Sequence, residues 1–366
     1  MVNELRWETR LLALVTVVLT VVGIASLYAA ATLEWNAFGF FTRQLLGAAV
    51  GIVGMVIVSR VDYHRWRTLA WPLLLGTLAL LLIPLLPFTR GISPPINGAR
   101  RWIFLGPLNI QPSEVARFAV AVWVAMLAAK KGEAVRGFKR GVAPFLVVLG
   151  LVGLLILLEP NLSMAVLVLL IGGVVLFTAG AKIGHFLLLG TGGAVAALSL
   201  IWAEPYRWAR VRCFFESCGQ GSFQLDQALL GFGSGGAVGV GFGHGQLKLH
   251  YLPYAYSDFL FSTIGEEWGF LGVVVIVVLF AILSWLGFRI AKTASDPFGQ
   301  YLAAGLTSAV ALAAVLHMAV TLGLLPTTGL ALPFMSYGRT GLIMALVSVG
   351  VLVNIGRARN GKRRER

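Results

Sequence analysis

Ten apolar stretches of roughly 20 residues follow one another along this chain, each long enough to cross a ~30 Å hydrocarbon layer as a helix. Their bounds fall near 11–32, 43–59, 69–88, 113–129, 142–158, 162–179, 184–202, 260–289, 299–323 and 340–356. A backbone in that layer finds no water to bond, and a helix satisfies its amides and carbonyls within one segment. Charged residues are 12% of the 366, about half the share of an ordinary soluble domain, and the spans leave no room for a separate soluble unit. The expectation is an all-α polytopic membrane protein, one integral domain over 1–366, with about ten transmembrane helices, long extracytoplasmic loops and a re-entrant segment. The first run follows "MVNELRWETR", is too long for a signal-peptide core and lacks a small-residue cleavage site, so it reads as a retained span.

An even number of spans puts both termini on one side. Lys and Arg collect in short cytoplasmic loops, and 19 of the 29 basic residues lie on the side of the termini, in "SRVDYHRWR", "KKGEAVRGFKR" and the tail "GRARNGKRRER" among others. Both termini are therefore expected in the cytoplasm, with 357–366 a basic cytoplasmic tail. The net charge of +14 reflects this topology and attraction to anionic lipid headgroups, and no nucleic acid is needed to explain it. The opposite side carries three long connections, 89–112, 324–339 and the large extracytoplasmic loop 203–259. Arg90, Arg100, Arg101, Arg207, Arg210, Arg212, Lys248 and Arg339 lie there against the orientation bias. An anionic partner would explain them, as would lipid phosphates or nearby acids. Cys213 and Cys218, in "CFFESC", are the only cysteines; a disulfide and two free thiols are both open there.

Four stretches place polar chemistry at the outer ends of the spans. In "YSDFLFSTIGEEWGF", residues 256–270, an aspartate opens a hydrophobic helix. A helix starting near Asp258 puts Ser262, Gly265 or Glu266, and Gly269 on its face, with Glu266 ~12 Å deeper. Capping of free amides accounts for Asp258 structurally; facing a watery cavity is the functional reading. Glu266 and Glu267 are expected to serve buried donors. In "NGARRWIFLGPLNIQPSEVARFAVAVW", residues 97–123, Pro112 suits a first helical turn and Ser113 is expected to help cap it. Glu114 and Arg117, three apart, share a helix face. They either neutralise each other or line the cavity of Asp258, where a guanidinium suits a phosphate. In the glycine-rich loop that follows Tyr206, Gly231, Gly233 and Gly236 spell G-x-G-x-x-G without the strand–turn–helix setting that nucleotide binding needs, and are read as close packing or bending. Finally "GLLPTTGLALPFMSYGRTG", residues 323–341, is interrupted by Pro326 and Pro333. It reads as a re-entrant segment lining a site, because irregular backbone at membrane depth needs cover from protein or water.

In this order among ten spans, these stretches resemble the SEDS family of peptidoglycan polymerases of bacterial shape, division and sporulation, typified by RodA, FtsW and SpoVE. The resemblance rests on "NGARRWI", "LGP", "QPSE", "Q..QALL..GSGG..GVG.G", "KL.YLP", "SDF.F..IGEE.GF.G" and "GLLPTTGLALPFMSYG", and covers essentially the full chain. "LLPTTGLALPF" and the N-terminal "ELRWETRLLALVTVVLTVVGIASLYAA" lean towards the FtsW or SpoVE branch. The resemblance implies polymerisation of lipid II, a disaccharide-peptide on undecaprenyl pyrophosphate, into β-1,4 glycan strands at the outer face of the bacterial cytoplasmic (inner) membrane. It implies that Asp258 corresponds to the family's essential aspartate, and Glu114 and Arg117 to its acid and base in the fourth span. Gln111, Gln224, Lys248 and Ser336, with Arg101, Arg207 and Arg210, are the further substrate contacts expected. The chain departs from the family at Arg117, where lysine is common, at Tyr256-Ser257 in place of His-Thr, and at Gly338-Arg339-Thr340 in place of Gly-Gly-Ser. Charge at 117 is kept, but arginine does not give up a proton.

Glycosyl transfer from an anomeric pyrophosphate needs a base for the attacking hydroxyl and cations for the departing diphosphate. Asp258 is expected as the general base and the outer arginines as the cations. The α-linked donor and β-linked product of the family this chain resembles imply one inverting displacement with no covalent intermediate. No nucleotide or redox cofactor signature is present; a divalent cation often assists diphosphate departure, and Glu114 and Asp258 are the oxygen ligands at hand. The resemblance further implies a class B penicillin-binding protein as the transpeptidase partner, alongside the growing glycan strand and membrane lipids. A flippase or transporter of a lipid-linked precursor would use the same residues but needs a path to both faces, and a scaffold would tolerate loss of Asp258.

Overall fold

The computed structural model describes residues 4–31, 37–96, 98–106, 108–215, 223–252 and 255–358. The side chains of Arg207, Arg210 and Cys213, and all of Cys218, lie outside the described residues, and with them the expectations placed there. Every expected span is a helix: α1 (Glu4–Ala31), α2 (Ala37–Val58), α3 (Arg65–Leu82), α4 (Pro112–Lys131), α5 (Ala143–Leu158), α6 (Leu162–Thr178), α7 (Ile183–Trp202), α10 (Leu260–Thr293), α11 (Pro297–Thr321) and α12 (Arg339–Ala358). Among the described residues nine are long and apolar enough to cross a membrane, and α6, with 17 residues, is the shorter tenth. Between α7 and α10 the loop holds α8 (Pro205–Phe215) and α9 (Phe223–Gly235). A small hairpin, β1 (Ile103–Leu105) against β2 (Leu108–Ile110), leads into α4.

The centre of the bundle is α4 and α11, whose apolar stretches are 83% and 72% buried, whereas α7 buries no residue. Small residues let neighbours approach closely: a Cβ on Gly350 of α12 would stand 2.6 Å from the Met55 carbonyl of α2, and one on Gly305 of α11 would stand 2.8 Å from Val175 of α6.

Polar knots define two faces. At one, Tyr63 in the α2–α3 turn is fully buried and donates its hydroxyl to Asp296, the N-cap of α11. Its amide bonds Asn354 of α12 at 2.9 Å, and Glu8 of α1 pairs with Arg289 of α10 at 2.5 Å. The start of α1 and the end of α12 thus share this face. At the other, the Gln111 amide meets Thr340 Oγ1 at 3.2 Å, joining the starts of α4 and α12. The segment 323–338, between α11 and α12, forms neither a described helix nor a strand and runs through this second face.

Candidate active site

Asp258 sits in the turn at 255–259, half-buried, and α10 begins only at Leu260 with Phe259 in the N-cap position. The carboxylate therefore stands one residue ahead of the position from which an acid caps a helix. It rests on the re-entrant segment: a Cβ on Gly329 would lie 3.4 Å from Asp258 Oδ2. Gly329 has φ +71°, a left-handed conformation that glycine adopts without the Cβ penalty. The neighbouring Tyr256 carbonyl accepts from Tyr337 N at 3.0 Å, and the rings of Tyr256, Tyr337 and Phe40 pack together. Thus the first and fourth stretches of the sequence meet at Asp258.

The segment is held from several sides. Gln44 of α2, fully buried, donates to the Ser336 carbonyl at 3.0 Å and accepts from Gly338 N at 3.2 Å. Ser336, expected as a substrate contact, is 4% exposed, and its hydroxyl accepts from Leu332 N at 3.0 Å. It closes a turn of the segment itself. A Cβ on Gly23 of α1 would collide with the Met335 backbone, so α1 lies directly against the segment.

Pro112 occupies the first turn of α4, as its fixed φ favours, but Gln111 is the N-cap. Ser113, expected to help cap, instead has a buried hydroxyl without a hydrogen-bond partner. One turn in, Glu114 and Arg117 are 7% and 8% exposed and bonded to each other. They line a cavity of about 10 Å³ with Phe118, Val310, Pro333 and Ser348, room for about one water. Asp258 is not among its lining residues, so the pair and the aspartate occupy separate niches joined by the segment from Gly329 to Pro333. Glu114 also lies against α12, its carboxylate 3.3 Å from a Cβ on Gly341.

The expected continuous helix 260–289 is broken. Gly269 has φ 65° and ψ −165° inside α10, and the glycine-rich loop fills the gap. Val240 and Gly241 amides bond the Glu266 and Glu267 carbonyls at 3.0 and 3.1 Å, while Phe270 and Leu271 amides bond the Gly236 and Ala237 carbonyls at 2.9 and 3.1 Å. The helix exchanges its own hydrogen bonds for those of the loop, which keeps the backbone satisfied. Gly235, Gly239 and Gly245 permit the approach, since a Cβ on the first two would strike the α10 backbone and one on Gly245 the Glu266 side chain. Glu266 accepts from the buried Leu247 N at 3.1 Å, as expected of it, and also from the part-buried Gln246 N at 2.7 Å.

Arg101 anchors the α5–α6 turn, donating Nε to the Glu159 carbonyl at 3.0 Å and Nη2 to the Pro160 carbonyl. Glu159 escaped the sequence reading: it is fully buried with both carboxyl oxygens unpartnered, and burial pushes its pKa from 4.5 up to about 8 against the pull of Arg101. Lys248, in the loop that meets α10, donates to the Gly243 carbonyl, and Gln224 lies half-buried in the first turn of α9. Arg339 starts α12 and packs across Gly47 of α2, 3.1 Å from a Cβ there. Among the described residues no three His, Cys, Asp or Glu side chains gather as a metal site, and Glu114, already paired with Arg117, is a poor cation ligand.

A family profile described as "Cell cycle protein", built on FtsW, RodA and SpoVE, matches residues 6–361. The chain is 38% identical to a probable peptidoglycan glycosyltransferase FtsW of Geobacter sp. (strain M18), over 95% of this chain and 96% of that one. It is 36% identical to stage V sporulation protein E of Bacillus subtilis (strain 168), over 95% and 96%. A solved chain described under structural coordination of polymerization and crosslinking by a peptidoglycan synthase complex superposes with a TM-score of 0.80 at 26% identity, covering 95% of this chain and 97% of that one. The rod shape determining protein RodA of Thermus thermophilus superposes at 0.71 with 26% identity, covering 95% and 96%.

Proposed function

The chain belongs to the FtsW, RodA and SpoVE family of cell cycle proteins, and from that premise we propose that this peptidoglycan glycosyltransferase polymerises lipid II into β-1,4 glycan strands by a single inverting displacement, with Asp258 as general base. The observation that carries the reading is the Asp258 carboxylate, half-buried at the head of α10 and set against the left-handed Gly329. A carboxylate so placed borders protein on one side and is reachable on the other, as a base must be.

In the reaction the sugar 4-hydroxyl oxygen attacks the anomeric carbon. Its proton passes to Asp258, the new oxygen–carbon bond forms, and the bond to pyrophosphate breaks with its electron pair on the diphosphate. Arg101, half-buried beside the α5–α6 turn, and Lys248, with Arg207 and Arg210 of α8, are the cations proposed to receive that charge; Gln111 and Gln224 are proposed sugar contacts. Glu114 and Arg117 act from below, bracing α4 against α12 and Pro333. The same reading places the chain in the bacterial inner membrane, with both termini cytoplasmic, and gives it a class B penicillin-binding protein as partner, in keeping with the synthase complex it resembles.

Purified full-length chain supplied with labelled lipid II tests this. Strands should form with the parent and be absent with Asp258→Asn, whose folding is checked by its melting temperature. Polymer from a folded Asp258→Asn variant removes the base; lipid II moved across vesicles with no polymer from the parent makes the chain a transporter.

A further inference from the structure

The re-entrant segment is tied to the bundle by two hydrogen bonds that bracket the residue under Asp258. His317 Nδ1, near the end of α11, lies 2.6 Å from the Leu330 carbonyl, and Ser163 Oγ, in the first turn of α6, lies 3.2 Å from the Thr328 carbonyl. Between them is Gly329, whose φ of +71° turns the chain and against which Asp258 Oδ2 rests. Residues from two helices, and Asp258 in the turn ahead of a third, therefore converge on a stretch of three.

The chemistry of His317 argues against a packing role. A carbonyl only accepts, so Nδ1 carries a proton and donates it. His317 is 1% exposed, and Nε2 has no hydrogen-bond partner. Burying a polar atom unpaired costs of order 1–3 kcal/mol, a cost that leucine at 317 would not carry. What leucine could not do is bond the Leu330 carbonyl.

We propose that His317 and Ser163 are positioning residues: they hold Thr328–Leu330 in register under Asp258 and so fix the carboxylate where it takes the proton of the sugar hydroxyl. The inference rests on Asp258 being the base. Its consequence is a loss of rate with substrate binding intact, because the contacts with lipid II are made elsewhere. A displacement of about 1 Å in such a group costs up to ~100-fold.

The test is steady-state polymerisation of labelled lipid II by the full-length chain carrying His317→Leu, His317→Asn, Ser163→Ala, Ser163→Thr or Asp258→Asn. His317→Leu should lower kcat ~10–100-fold with KM near the parent's, and hydrogen exchange of the peptide 323–338 should quicken. His317→Asn places an amide donor near the position of Nδ1 and should recover most of the rate. Ser163→Ala should show a smaller fall, restored by Ser163→Thr; these half-buried variants decide the matter if His317→Leu does not fold. Parent-like kcat in both His317→Leu and Ser163→Ala overturns the proposal. So does a loss in His317→Leu that Asn fails to recover, or one carried by KM alone. An active Asp258→Asn is a separate result that removes the base itself.

Discussion

At the scale of single residues, the site divides into groups whose chemistry is legible in the sequence and groups that only folding creates. Asp258 stands out because an acid at the mouth of an apolar helix is costly, and Glu114 with Arg117 because three-residue spacing joins them. Breaking that buried pair should be expensive: Glu114→Gln or Arg117→Gln strands its partner at about 3–5 kcal/mol, while the double variant should lose less than the sum. Denaturation of the four proteins in one detergent gives the coupling, and strict additivity would mean that the bond carries no weight. Glu159 was not legible, since nothing beside "LEPN" tells that the turn seals both oxygens from water. Its carboxyl, raised from 4.5 to about 8 in the fold, holds a proton that the unfolded chain has released above 4.5. Its contribution to stability is therefore full below about pH 4.5 and is lost as pH rises towards 8, at ~1.4 kcal/mol per unit. Glu159→Gln, a mimic of the protonated acid, should flatten this slope: its melting temperature should match the parent's near pH 4.5 and exceed it near pH 8. Parallel curves across that window would show that Glu159 ionises as freely in the fold as outside it.

At the scale of elements, hydrophobic length located all ten helices, nine of them long enough to span, because no other backbone arrangement satisfies itself within one segment in lipid. Where two elements share hydrogen bonds, one-dimensional reading fails. "IGEEWGFLGVV" carries a helical pattern straight through Gly269, and only the approach of residues 236–241 makes a break there stable. The hairpin before α4 is invisible for a similar reason, being two strands of three residues each. Gly269→Ala tests the break. Its φ of 65° with ψ of −165° lies in a region that costs other residues of order 1–3 kcal/mol, and the new Cβ would collide with Gly239 N. The variant should melt several degrees lower and lose polymerisation, since the fragment that begins two residues after Asp258 loses its footing. Gly150→Ala in α5, where nothing lies within 4 Å of a Cβ, should be neutral or slightly stabilising. Equal behaviour of the two variants would remove the loop exchange as a structural requirement.

For the molecule as a whole, the mechanism depends on which face of the membrane Asp258 occupies. The knots at Tyr63–Asp296, Asn354 and Glu8–Arg289 gather the start of α1 and the end of α12 on one face, and Asp258, Gly329 and Arg101 lie in the connections at the other. Relative placement of the groups is thus given by the fold, and the charge pattern is the argument for the proposed absolute orientation. The expected topology assigns nineteen of 29 basic residues to the side of the termini, where each would gain about 1 kcal/mol near an anionic leaflet; inverting the molecule would forfeit most of that. With Cys213 and Cys218 replaced by serine, Gly91→Cys and Glu133→Cys report the two faces. Both positions are exposed, and nothing lies within 4 Å of a Cβ on Gly91. A membrane-impermeant maleimide added to intact cells should label Gly91→Cys, and should reach Glu133→Cys only after the membrane is opened. The reverse pattern would put the aspartate and its arginines in the cytoplasm, on the wrong side of the membrane to build a wall.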